Sequence, residues 1–169
     1  MLGRFFYYFN SRYFKSFAIM KKIYGLLLSV CIATTSYSQS NKEEVAIKVL
    51  LEKESATWRA KDVVAHASCW HMQPYSRILV ATGSGKVIDV PPTAIINSKA
   101  ENMGDGGVAV NSNYTFSIHA NNAWVSHEEL STSANGKQTK TYEIRLLEKI
   151  HGQWKLVGQS IMIQQPIVP

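Results

Sequence analysis

Asp62 and His66 stand four residues apart, so the two side chains can meet across one helical turn. A carboxylate that orients an imidazole makes a general base. The same Asp62 equally suits the N-cap of a helix, which leaves His66 partly exposed. His66-x2-Cys69-x-His71 holds metal-ligand residue types. A zinc centre needs a fourth group, no Cys-x-x-Cys or His-Glu-x-x-His pattern supports one, and Trp70 sits between the potential ligands. Glu54 and Trp58 carry a sharper signal, because both fall on or near the apolar face of one helix. A carboxylate there must find a donor or lie at the edge of a pocket. Arg77, Arg145, Tyr75 and Tyr142 are its candidate partners. Glu54 is either a pocket acid that fixes a polar ligand group or half of a structural ion pair.

Further along, Tyr75, Tyr114, Trp124, His119 and His127 offer aromatic and imidazole surface. Tyr114, Phe116 and Ile118 share one strand face, with His119 on the other, and His127 lies opposite Trp124. Alternation alone does not say which parity points inward. Gly83-Ser84-Gly85-Lys86 fails as a phosphate loop: Val80 stands where the first glycine belongs and Val87 where Ser or Thr must follow the lysine. It reads as a hairpin turn. No Gly-x-Ser-x-Gly elbow is present.

The elements that must position these residues follow from periodicity and turn chemistry. Ser40 to Glu44 starts a helix that continues through Ile47, Leu50, Leu51, Ser55 and Trp58. Asp62 opens a short second helix, with Pro74 beyond its end. Arg77–Ala81 and Val87–Val90 read as a strand pair. Pro91 and Pro92 begin a third helix carrying Ile95, Ile96, Lys99 and Met103 on one face, with Gly104 as its stop. Turns at Asn121-Asn122, Asn135-Gly136 and His151-Gly152 then divide the remainder into a four-strand meander. Helices gathered ahead of antiparallel strands mark the α+β class.

Ahead of this domain, Lys21 and Lys22 precede an apolar run of eleven residues, Ile23 to Ala33, too short to span a bilayer at about 20 residues. Ser36-Tyr37-Ser38 supplies small residues for cleavage before Gln39. Residues 20–38 therefore read as a signal peptide, and the expected location is secreted or periplasmic. Residues 1–19 contain eight Phe or Tyr and no acid, and are expected to be a mis-assigned extension ahead of a start at Met20. Lipid anchoring at Cys31 is disfavoured by the bulky Val30 before it. The chain has 18 Lys and Arg against 12 Asp and Glu, but five of the cations lie before Ser38. The remaining 13 against 12 leave no basic stripe, so no nucleic acid is expected as a partner. Cys69 alone remains after cleavage, which excludes an internal disulfide and suits a small buried residue.

The element order, Glu54-x3-Trp58-x3-Asp62 leading to Trp70, and the ending Tyr142 to Leu156 with its Lys149-x2-Gly152-x-Trp154-Lys155 hairpin resemble the nuclear transport factor 2-like superfamily in its SnoaL-like branch. The resemblance covers residues 39–169 as a single domain. It implies a cone: a curved antiparallel sheet of about six strands wrapped on three N-terminal helices, with one pocket, and dimerisation through the sheet. Such a fold hosts enzymes, binders and assembly domains alike. The expected function is binding of a small apolar or amphipathic molecule, with Trp58, Trp70 and Tyr75 as apolar walls and Glu54 and Arg77 as polar anchors. The alternative is a SnoaL-like or ketosteroid-isomerase-like enzyme with His66 or Glu54 as base, Asp62 being the third catalytic candidate. A second alternative is a dimerisation or assembly module. A homodimer is expected, and no motif requests a metal, an organic cofactor or a stable membrane span.

Overall fold

A computed structural model describes residues 41–104 and 106–164. The expected extension at 1–19, the expected signal peptide at 20–38 and its expected cleavage position lie outside the described residues. The described residues from Glu43 onward belong to one compact unit.

Residues 41–59 are helical and form α1. Ile47 and Leu51, one turn apart, are fully buried, and Glu54 and Ser55 carry the same buried face onward. Lys61, with φ of 58°, reverses the chain. Asp62 then caps α2, Val63–Ala67, accepting the Ala65 N–H at 2.9 Å. Strands β1 (Arg77–Ala81) and β2 (Val87–Val90) have the bounds read from the sequence. The third helix is shorter than expected. Helix α3 is confined to Pro92–Ile96, and only a 3₁₀ turn, Ala100–Asn102, follows. Asn97 Nδ2 donates to the Thr93 carbonyl at 2.8 Å and Ser98 Oγ to the Ala94 carbonyl at 3.1 Å. These side chains bond the last helical carbonyls, and Lys99 beyond them is extended.

Four long strands complete a curved six-stranded sheet: β3 (Val108–His119), β4 (Asn122–Thr132), β5 (Gln138–Ile150) and β6 (Gln153–Ile163). The strand order is β2-β1-β6-β5-β4-β3. The sheet is mixed rather than wholly antiparallel, because β1 runs parallel to β6, with Ile78 beside Gln159 and Val80 beside Ile161. Local turn signals define each hairpin but not how the β1–β2 hairpin docks on the free edge of the meander.

Two bulges divide the sheet. Between Ser112 and Thr115, two β3 residues oppose His127 of β4, and Asn113 takes φ of 56°. In β6 the pairing slips so that Val157 is the extra residue between Leu156 and Gly158. Each bulge shifts the inward parity of its own strand by one position. On one side of them the inward face is apolar: Ala123, Val125, Leu147, Trp154 and Leu156 pack with Ile47, Leu51, Cys69 and Trp70. Full burial of an Ile or Leu contributes about 2 kcal/mol, so this end anchors the fold.

Candidate functional site

On the other side of the bulges the same inward face is polar. Glu129 on β4, Thr141, Glu143 and Arg145 on β5, and Gln159 on β6 are all buried. They meet Glu54, Ser55 and Arg59 from the C-terminal half of α1. A cavity of about 500 Å³ lies among them. The rest of its lining is largely aliphatic: Ile78 and Val80 of β1, Ile88 and Val90 of β2, and Ile161 and Ile163 of β6, the last two paired with Glu143 and Thr141 across β5 and β6. Trp58 closes one side, and Gly104 lies against it. A Cβ on Gly104 would stand 3.1 Å from the Trp58 ring and from the Arg59 backbone, so only glycine lets this loop sit so close.

Arg145 is the hub of the polar wall. Its Nη1 donates to Glu54 Oε2 at 3.0 Å and its Nη2 to Glu143 Oε2. Thr141 Oγ1 donates to Glu143 Oε1 at 2.8 Å, and Gln159 Nε2 donates to Glu143 Oε2 at 3.3 Å. A second set holds Glu129: Ser55 Oγ donates to Oε2 at 2.8 Å and Arg59 Nη2 to Oε1 at 2.5 Å. Burial pushes Glu143 up, but the charge of Arg145 and the hydrogen bonds from Thr141 and Arg145 hold it below the usual carboxylate range. Burial opposes the charge on Arg145, and Glu143, Glu54 and Glu129 together outweigh it and hold the guanidinium protonated.

Two histidines flank this hub. His127 is fully buried and stacks on Tyr114 at 5.1 Å between centroids. Burial, then the Arg145 charge, lowers its pKa, so the ring is neutral at pH 7. Burial also pushes the Tyr114 hydroxyl up to about 12. His66 is buried between the rings of Trp58 and Trp70. Its Nδ1 lies 3.3 Å from the Glu54 carbonyl oxygen and 3.7 Å from Glu54 Oε1. Both neighbours are acceptors, so Nδ1 is the ring nitrogen that donates toward Glu54. His66 lines the large cavity and also a smaller one of about 260 Å³, where Trp70, Met72 and Met103 lie. Among the described residues, Arg145 Nε, His127 Nε2 and Trp70 Nε1 are enclosed without a hydrogen-bond partner.

The residues singled out from sequence separate here. Glu54, Trp58 and His66 line the large cavity, and Arg145 is the partner that Glu54 takes among its four candidates. Trp70 lines only the smaller cavity. Tyr75 lies outside both: it is exposed and donates to Glu148 Oε1 at 2.5 Å. Arg77 is also outside, because it takes the outward parity of β1, where its Nε lies 3.4 Å from Asp89 Oδ1. Asp62 faces solvent as the α2 cap and does not meet His66. Cys69 is buried in the core, while His71 pairs with Gln73. Among the described residues, no three His, Cys, Asp or Glu side chains converge as a metal site. Among them, too, no helix is long and apolar enough to cross a membrane.

Sequence reasoning missed Arg59, Glu129, Glu143 and Gln159 as parts of the site. The usable signal was the opposite parity: Trp124, Leu130, Tyr142 and Leu146 are all partly exposed on the outer sheet face. Apolar residues at even positions of β4 and β5 concealed a polar inward set at odd positions.

This geometry defines a class of fold. No family model matches the chain, and no curated protein matches it. Solved structures do. A nuclear transport factor 2-like protein of unknown function from Silicibacter pomeroyi superposes with a TM-score of 0.59 at 13% identity, covering 74% of this chain and 98% of that one. One from Cytophaga hutchinsonii gives 0.56 at 15% identity, covering 72% and 98%. Another of unknown function, from Shewanella baltica, gives 0.54 at 16% identity, covering 74% and 96%. The chain has the nuclear transport factor 2-like α+β fold. At these identities the likeness is one of fold, and none of these neighbours carries the SnoaL-like name.

Proposed function

We propose that this is an exported small-molecule-binding protein whose cavity holds an amphipathic ligand. The observation that carries the reading is one cavity lined both by aliphatic side chains and by a polar cluster whose members hold one another through hydrogen bonds. Its volume falls within the roughly 300–1,000 Å³ of ordinary ligand pockets. Pre-bonded polar groups lose little freedom when a ligand arrives, so binding is not spent on ordering them. Export rests on the residue 20–38 signal pattern. A homodimer is favoured by the outer sheet face, where Trp124 pairs with Leu146 and both are exposed beside Leu79 and Tyr142.

Native mass spectrometry of the protein purified from its own host, before and after mild denaturation, tests the reading. A small molecule released on denaturation is expected. A protein that is empty under every condition, and that fails to retain any amphiphile added back, would falsify it. The runner-up, an acid–base enzyme, is favoured by one observation: an imidazole, His66, lines a ligand-sized cavity with its Nδ1 against Glu54.

A further inference from the structure

We propose that the ligand of the large cavity is a monocation: an amphiphile with one ammonium group and a hydrocarbon body. This rests on the binding reading and names its chemical class. Three carboxylates, Glu54, Glu129 and Glu143, face two guanidinium groups, Arg59 and Arg145, along the cavity lining. The acidic side chains thus outnumber the guanidinium groups by one along the lining. Uncompensated charge in a water-poor site is costly, and a bound cation relieves that cost.

The hydrogen bonds locate the deficit. Both oxygens of Glu129 are taken, by Arg59 and Ser55, and both oxygens of Glu143 by Thr141, Arg145 and Gln159. Glu54 gives Oε2 to Arg145, but among the described residues its Oε1 accepts no hydrogen bond and meets only the His66 ring at 3.7 Å. The Glu54 side chain is 6% exposed, so this open oxygen belongs to a carboxylate over nine-tenths buried. The open oxygen is an acceptor. A primary ammonium has three donors and no acceptor, which complements it. A carboxylate ligand would meet the open oxygen with like charge. The aliphatic wall of Ile78, Ile161 and Ile163 takes the hydrocarbon body.

The test compares three probes of one tail, decylamine, 1-decanol and decanoate, by isothermal titration of the delipidated protein at pH 7. The amine is expected to bind at least about ten-fold more tightly than the alcohol, as desolvated charge pairs commonly provide. Decanoate is expected to bind weakest. Glu54→Gln is expected to reduce the advantage of the amine over the alcohol. Equal affinity for amine and alcohol in the unmodified protein would overturn the proposal and would leave the binding reading intact. Failure of all three probes would overturn both. The comparison on the unmodified protein decides the matter even where Glu54→Gln does not fold.

Discussion

The inward face of this sheet has two halves that share strands, helix and burial but not chemistry. At one end Val125, Leu147 and Leu156 pack on Ile47 and Leu51 without a gap in their apolar contacts. Two residues further along the same strands, Val125 gives way to His127 and Leu147 to Arg145. On α1, Leu51 gives way to Glu54. The first half is what a domain of this size needs to fold. The second holds ionised groups in low dielectric, where well-packed apolar residues would serve stability as well or better. The contrast teaches that the polar half is maintained for something other than folding, and the cavity beside it is the physical candidate.

The largest expected effect comes from breaking the polar half at its hub. Arg145→Met leaves Glu54 and Glu143 buried without their cation and should cost about 3–5 kcal/mol in urea unfolding. Leu51→Ala breaks the apolar half instead. It should cost about 3 kcal/mol, from lost burial and the void left behind, while any bound small molecule is retained on the folded fraction in native mass spectrometry. The two variants thus separate by ligand retention rather than by stability.

A smaller effect follows acidification. His127 has a folded pKa below its ordinary value of 6.5, so the unfolded chain takes the proton first. Its contribution is present above pH 6.5 and lost as pH falls toward the folded value, with a slope of at most about 1.4 kcal/mol per pH unit. Glu143, also held below its ordinary value of 4.5, adds a further loss at lower pH with the same sign. Urea unfolding at pH 7 and pH 5 should show this decline, and His127→Phe should remove its upper part. The smallest effect is Asp62→Ala. Loss of the α2 cap should lower stability by about 1 kcal/mol without altering ligand retention.

Much of this architecture was legible because local signals sufficed. Arg77–Ala81, Val87–Val90 and the Asn135-Gly136 turn each declare themselves within a few residues. The α3 region misled because Ile95, Lys99 and Met103 keep a helical period across a break that Asn97 and Ser98 impose through side-chain bonds. The site was only half legible. Glu54 and Trp58 stood out as a polar and an aromatic residue on an apolar helix face. Among the strand residues only Arg145 was named, as one of four candidate partners of Glu54. Apolar residues on the outer face of β4 and β5 masked Glu129 and Glu143, and bulges at Asn113 and Val157 reverse parity within β3 and β6. Tyr75 and Arg77 were drawn in by composition, yet the outward parity of β1 and the exposed position of Tyr75 place them elsewhere.

Urea unfolding of the triple variant Glu54→Leu, Glu143→Leu, Arg145→Met bears on the two halves at once. If the polar half is kept for a ligand, removing the Arg145 hub together with its two carboxylates should leave stability equal to the natural protein or above it, by about 1–4 kcal/mol, while the small molecule is lost. A variant that unfolds several kcal/mol more easily than the natural protein would contradict this, and would make the cluster part of the scaffold.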